Sequence, residues 1–577
     1  MPTSPLRLLL ALAGPLLGTA AGLLPSSATA QSFPEPPPIE AAVAPDTPLD
    51  YAPGVDVLHY DLELGVGEGA GTFQGVATLR VALEDGAEEL PLDLAGLAVD
   101  AVELDGTAVS GSIYENGVLR VPLASATSDT IQVRVAYSGT PDDALNLGVN
   151  VHGAPAAFAD NWPNRARFWF PSVDHPSDKA TVRYRIHAPA AWSVVANGHL
   201  VRPPTETPAQ ALGPETGPRR TWTWEVTVPI PTYTMVLGAA EMEVRVQGRV
   251  ACGQAPATAE QDGCVEVSWW AFPQDTANAA RIFHRAPEMV QRYTDLIGPF
   301  PYEKLANVQS STRFGGMENS SAIFYTGQGL ADGTLSEATV AHEIAHQWFG
   351  DAVTETSWTH LWLSEGFATY FAALFYEMVG EDDAFHRMME EDRVQIVGSP
   401  VSDRPVVDRY ASLYDLLNTN SYQKGGWVLH MLRHRLGDED FFGGIREYVR
   451  RYRHGTALTA DLRAAFEDVS GDDLETFFQQ WIFEPGFPVL EVSDGWTPDG
   501  DGGTLRVEVR QVQKAAWPRF QAPLEVVAHQ DGVAFRGTLW LSGEESVLEL
   551  DLPGTGAPDR LEIDPEGRLL MGEPLRR

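Results

Sequence analysis

The hydrophobic period changes twice along this chain, and that order limits what it can fold into. From about residue 51 to 246 apolar and polar residues alternate: Tyr60, Leu62 and Leu64 are separated by Asp61 and Glu63, and Ile131, Val133, Val135 and Tyr137 repeat the pattern. Val182, Tyr184 and Ile186 alternate with Arg183 and Arg185, and Trp222, Trp224, Val226 and Val228 close the set. A period of two puts alternate side chains on one face of a strand, so residues 51–246 are predicted to form a large β domain. From about 247 to 488 the period lengthens to that of helices. Over 489–577 alternation returns in Leu505, Val507 and Val509 and in Leu548, Leu550 and Leu552, which predicts a small β-sandwich. A chain of 577 residues exceeds what one core usually serves, so the expected class is multidomain α+β.

Three helices are expected in the middle segment. Thr334-Leu335-Ser336-Glu337 fits a capping box, with Thr334 or Ser336 as the cap, and the helix should run to Phe349 before Gly350. A second fits Leu361 to Val379, stopped at Gly380, and a third fits Tyr422 to Leu436, stopped at Gly437.

The N-terminus has Arg7, an apolar run from Leu8 to Leu24 and then Ala28-Thr29-Ala30. This pattern predicts a signal peptide over 1–30 and a secreted or periplasmic protein, the alternative being a membrane anchor. Residues 31–50, with Pro34, Pro36, Pro37 and Pro38, read as an exposed linker. No later apolar run approaches the roughly 18 residues of a membrane span. The two cysteines, Cys252 and Cys264, would pair as a disulfide in an oxidising compartment, the alternative being two buried thiols. A formal net charge of -39 repels phosphates and anionic lipid, so no nucleic-acid partner is expected.

His342-Glu343-Ile344-Ala345-His346 falls within the first helix, where a spacing of four brings both imidazoles to one face, a turn apart. Two such nitrogens can grip one ion, and the alternative is a helix whose histidines are merely packed. Glu365, with eighteen residues between it and His346, sits among the apolar residues of Trp362-Leu363-Ser364-Glu365-Gly366-Phe367-Ala368. A carboxylate there is costly to bury without a partner, which makes it the third ligand of choice. Two neutral nitrogens and a carboxylate suit one zinc ion per chain, with a fourth position open to water. Glu343, beside the first ligand, can act on that water as a base.

This helix pair followed by Glu365 resembles the gluzincin metallopeptidases. Gly315-Gly316-Met317-Glu318-Asn319 is similar to the Gly-Ala-Met-Glu-Asn signature of the aminopeptidase N family, related to leukotriene hydrolase, and Tyr422-Gln423-Lys424-Gly425 matches its Tyr-x-Lys-Gly segment. The similarity extends from about residue 50 through Phe168 to Asp174 and on to Pro488. It implies an N-terminal β saddle over 51–246, a thermolysin-like catalytic domain over 247–488 and a third β domain over 489–577.

By resemblance, Glu318 binds the free α-ammonium of a peptide, with Gly315, Gly316, Met317 and Asn319 along the substrate backbone. Tyr422 then donates to the oxyanion formed when zinc-activated water, deprotonated by Glu343, attacks the scissile carbonyl. The expected activity is removal of N-terminal residues from peptides. Gly316 departs from the signature's alanine. The large helical C-terminal domain of many members has no counterpart here, which implies a short form with a more open site. His360 lies outside the ligand spacing and is expected to be structural. Asn319-Ser320-Ser321 matches a glycosylation acceptor incidentally, and Asp160 or Asn161 is a candidate contact for the substrate amine. The rival readings are an epoxide hydrolase or endopeptidase with the same zinc chemistry, and a zinc-binding scaffold without turnover.

Overall fold

Tyr60, Leu62 and Leu64 are wholly buried in strand Val55–Gly65, while Asp61 and Glu63 between them are half-buried. The computed structural model describes residues 52 and 54–576, apart from 68–72, 85, 125, 127, 209, 214–216 and 254–262. The expected signal peptide and the proline-rich segment therefore lie outside the described residues. Val55–Gly65 pairs parallel with Lys179–Pro189, setting Tyr60 beside Val182, Leu62 beside Tyr184 and Leu64 beside Ile186. Apolar residues thus meet apolar residues on one face, which is what fixes a strand register. These strands belong to an eight-stranded sheet in the order His199–Glu206, Arg219–Pro231, Lys179–Pro189, Val55–Gly65, Phe73–Leu83, Thr130–Gly139, Ala98–Leu104 and Thr107–Ala108.

A smaller sheet, ordered Ser193–Ala196, Leu237–Ala240, Pro155–Ala159 and Leu145–Val149, carries the first part of the chain onto the middle segment. Phe158 in it meets Phe272 and Phe324 edge-on, with ring centroids 6.2 and 5.8 Å away.

The middle segment begins with a five-stranded sheet rather than with helices. Its order is Glu243–Val250, Val265–Ala271, Lys304–Ser310, Ala322–Thr326 and Gly316–Met317, and the three central strands are parallel. Glu243–Val250 runs across the boundary drawn at 246. Every residue of Lys304–Ser310 is buried, because a parallel strand is covered on both faces and so shows no alternation. Helices α1 (Glu337–His346), α2 (Trp362–Met378), α3 (Asp382–Gly398) and α4 (Gly425–Leu436) follow.

Ser336 caps α1, its hydroxyl accepting from the Thr339 amide at 3.0 Å. The helix ends at His346, three residues before the expected Phe349. Gly350, at φ +108°, turns the chain, and its amide donates to Val353. The third expected helix is α4 preceded by a wider π-type turn, Asn420–Lys424, that carries Tyr422. The C-terminal segment forms two sheets, one including Leu490–Asp499, Gly502–Gln511 and Glu545–Leu552, the other Ala522–Gln530, Val533–Leu541 and Arg560–Ile563. Leu505, Val507 and Val509 from one sheet and Leu524, Val526 and Ala528 from the other are buried in the core. Cys252 and Cys264 form a disulfide. Among the described residues no helix is long and apolar enough to cross a membrane.

Candidate active site

α1 presents His342 and His346 one turn apart, their Nε2 atoms 3.0 Å from each other. Glu365 comes from the first turn of α2, where unpaired backbone amides favour an acid. Its Oε2 lies 3.2 Å from His342 Nε2 and 3.3 Å from His346 Nε2. Three donor atoms at such spacings match the roughly 3.3 Å edge of a tetrahedron with bonds of about 2.0–2.1 Å, and two imidazoles with a carboxylate are a donor set that zinc accepts. The residues fit the ion. His346 Nδ1 donates to the Phe349 carbonyl at 3.0 Å, which leaves the lone pair on Nε2 facing the centre. Ser364 Oγ stands at 3.0 Å from the same Nδ1.

Glu343 and Glu318 approach the same centre, each with a carboxylate oxygen within 4.8 Å of the other's and of a His346 nitrogen. Glu318 follows the edge strand Gly316–Met317, and both acids are buried. A methyl group at Gly316 would fall 2.2 Å from Glu343 Oε1, so the glycine that departs from the family signature leaves the space this carboxyl occupies. Gly315 and Gly316 are half-buried, and Met317 and Asn319 are buried, which removes Asn319 from any glycosylation.

Tyr422 donates its hydroxyl hydrogen bond to Glu365 Oε1 at 2.9 Å and stacks on His342, ring planes 6° apart and centroids at 6.1 Å. A close backbone approach brings it there: a Cβ on Gly366 would be 2.9 Å from the Gly425 Cα.

The electrostatics follow from buried ionisable groups crowded around one centre. Burial raises the Glu343 carboxyl well above the usual range, and Glu318 and Glu365 add to the rise. Burial likewise lifts Glu318 to about 7, opposed by His346 and assisted by Glu365. For Glu365 burial is outweighed by His346 and His342, which hold it far below the usual range. His346 is raised well above its usual value because Glu365, Glu318 and Glu343 overcome its burial. Three carboxyl groups face two imidazoles here, a surplus of acid that favours binding a cation.

The sequence reading missed Gln347. Its wholly buried amide donates to the Glu318 carbonyl at 2.6 Å and to Asp351 Oδ2 at 2.9 Å, and accepts from the Ser321 amide at 2.7 Å. It ties the Glu318 segment to α1 directly after the ligand His346. A glutamine in an otherwise apolar stretch was the available signal, since a buried amide needs partners. Lys179 was also missed: it donates to the carbonyls of Asp351, Ala352 and Gly455 and so joins the β domain to the loop after α1.

Three further residues have partners of their own. Asn161 donates to the carbonyls of Thr232 and Met235 and accepts from Trp169, while Asp160 is paired with Arg165 at 3.1 Å. His360 bonds to Thr459 Oγ1 at 2.8 Å.

Residues 57–234 match the Peptidase M1 N-terminal domain, and residues 283–481 match the Peptidase family M1 domain. Aminopeptidase N of Streptomyces lividans is 26% identical over 544 residues, covering 89% of this chain and 58% of its own length. The chain spans between half and three-fifths of such curated relatives. An M1 zinc metallopeptidase from Deinococcus radiodurans, solved with a Tyr-Ser-Ala substrate, superposes with a TM-score of 0.64 at 27% identity, over 74% of this chain and 94% of that one. Aminopeptidase A of Legionella pneumophila shares the fold at 17% identity, with a TM-score of 0.75 over 92% of this chain and 60% of that one.

Proposed function

This chain belongs to peptidase family M1, and from that premise we propose that it is a zinc aminopeptidase removing N-terminal residues from peptides. His342, His346 and Glu365 hold one zinc ion. When bound, the metal supplies Lewis acidity toward the scissile carbonyl and lowers the pKa of water at its open position.

The chain's own residues do the rest. Glu343 takes a proton from the attacking water and returns it to the leaving amine, a task suited to a carboxyl raised by burial. Tyr422, kept protonated by burial and by the charge of Glu365, donates to the oxyanion as it forms. Glu318 pairs with the substrate's α-ammonium. The edge strand Gly316–Met317 offers its backbone to an extended peptide, and the glycines let it approach closely.

The observation that carries the exopeptidase reading is Glu318 itself, a buried carboxylate within 4.8 Å of Glu343 and His346. An acid there blocks the cleft to a continuing chain and rewards a free amine. Export to an oxidising compartment is supported by the Cys252–Cys264 disulfide.

The test compares hydrolysis of a free-amine aminoacyl anilide with that of its N-acetylated form, alongside zinc content. The wild type should hold one zinc and cleave only the free amine, and Glu318→Ala should raise KM for it by about tenfold or more. Equal rates on the two substrates would overturn the proposal.

A further inference from the structure

A second histidine pair lies away from the catalytic centre. His430 and His434 stand four apart on α4 with ring centroids 4.5 Å apart and planes at 90°. The ligand pair His342 and His346 has nearly the same arrangement, 4.6 Å and 81°. The second pair lines a cavity of about 610 Å³ between α3, α4 and the turn Pro565 to Gly567 of the C-terminal segment, and His386 of α3 lines it too.

His430 is only 4% exposed. Its Nε2 lies 3.2 Å from the Gly567 carbonyl and must donate to it, which leaves the lone pair on Nδ1. That buried nitrogen has no hydrogen-bond partner. A carbonyl fixing one ring nitrogen while the other stays free is how a metal-binding imidazole is oriented. Burial, helped by His434, Arg433 and His386, pushes the His430 pKa to about 3, so the ring is neutral, as a ligand must be. Arg433 beside it is neutralised by Glu377 and Asp438, each at 2.7 Å, so it does not make the rim cationic. His434 and His386 are exposed.

We propose that this cavity binds a second divalent transition-metal ion through His430 Nδ1 and His434, with His386 rotating in as third ligand. The ion would staple α3 to α4. Imidazole nitrogens select Zn²⁺, Cu²⁺ or Ni²⁺ over Ca²⁺ or Mg²⁺. Among the described residues, three ligand atoms already stand within 4.8 Å of each other only around the catalytic centre. The second site is completed by side-chain rotation and so binds more weakly.

The test uses the full zinc-loaded chain, titrated with Cu²⁺ and followed by metal counting after gel filtration and by electron paramagnetic resonance. The wild type should keep its zinc, take up one copper, show splitting from two or three imidazole nitrogens, and gain about 2 °C in Tm. His434→Ala and His386→Ala change exposed side chains and should leave peptidase activity unchanged. The first should abolish the copper signal and the Tm gain, and the second should remove one nitrogen from the splitting. Copper absent from the wild type, found only in exchange for zinc, or bound equally by His434→Ala would overturn the proposal. None of these readouts depends on peptidase activity, so failure here and failure of the aminopeptidase reading are separable.

Discussion

Gly366→Ala should disable the enzyme from a position that touches no substrate. The residue follows Glu365 on α2, and a methyl group there would lie 2.9 Å from both the Cα and the carbonyl carbon of Gly425. Carbon atoms rest at about 3.5–4.0 Å, so α2 and the start of α4 must part by roughly 0.6–1 Å, and both sides are backbone. Gly425 lies three residues after Tyr422, so the separation lengthens the 2.9 Å hydrogen bond between Tyr422 and Glu365. Overpacking of this kind costs about 1–3 kcal/mol of stability, and a displacement of about 1 Å can cost on the order of a hundredfold in rate. We expect kcat to fall by about 10- to 100-fold, with KM within about threefold and zinc retained. Gly426→Ala is the control, because its methyl group would find nothing nearer than 3.4 Å, and alanine is favoured over glycine in a helix by about 0.5–1 kcal/mol. It should be fully active and at least as stable as the wild type. Steady-state kinetics on an aminoacyl anilide, with calorimetry and zinc counts, decides. If Gly366→Ala matches the wild type, or if both variants are equally damaged, the close-approach argument is wrong.

Tyr422→Phe should lower kcat by about a hundredfold and leave KM within a few-fold, because it removes a donor needed only as charge develops; an unchanged kcat would remove Tyr422 from the mechanism. Gln347→Ala leaves the Glu318 carbonyl and the Ser321 amide buried without partners, at about 1–3 kcal/mol each. It should lower the denaturant midpoint and raise KM for free-amine substrates more than it lowers kcat. Lys304 is buried, its Nζ on the carbonyls of Ala196 and Ser321, and burial lowers its pKa from 10.5 to about 7. Between those values the unfolded chain binds the extra proton, so wild-type stability gains up to about 1.4 kcal/mol per pH unit from this group as pH rises through that window, and gains nothing below it. Lys304→Met lacks the gain; urea titrations at pH 7 and pH 9 should show wild type moving ahead, and a constant difference would refute it.

The site was legible where chemistry depends on spacing along one helix, and less so where it depends on packing between segments. His342 and His346 needed only a period of 3.6. The Tyr60 and Ile131 alternations were visible because one face of those strands is less buried than the other. The central sheet was hidden because Lys304–Ser310 is buried on both faces, and a continuous buried run reads as strand or helix alike. Gln347 and Lys179 act on backbone carbonyls of remote segments, and no periodicity in their neighbours reports such contacts. The early end of α1 at His346 depends on Gly350 and its amide bond to Val353, which a helix-period count does not weigh.

One feature explains how three glutamates in a single cavity can take three roles in the proposed mechanism. Identical side chains are separated only by surroundings. Glu365 accepts from Tyr422 and faces both imidazoles, so it stays ionised as a ligand must. Glu343 gains no comparable hydrogen bond, and its space exists because residue 316 has no side chain; burial raises it well above the usual carboxylate range. Glu318 is lifted by burial and by the charge of Glu365, so a positive group brought beside it is rewarded. An arriving ammonium offers it the opposite charge that burial otherwise denies it.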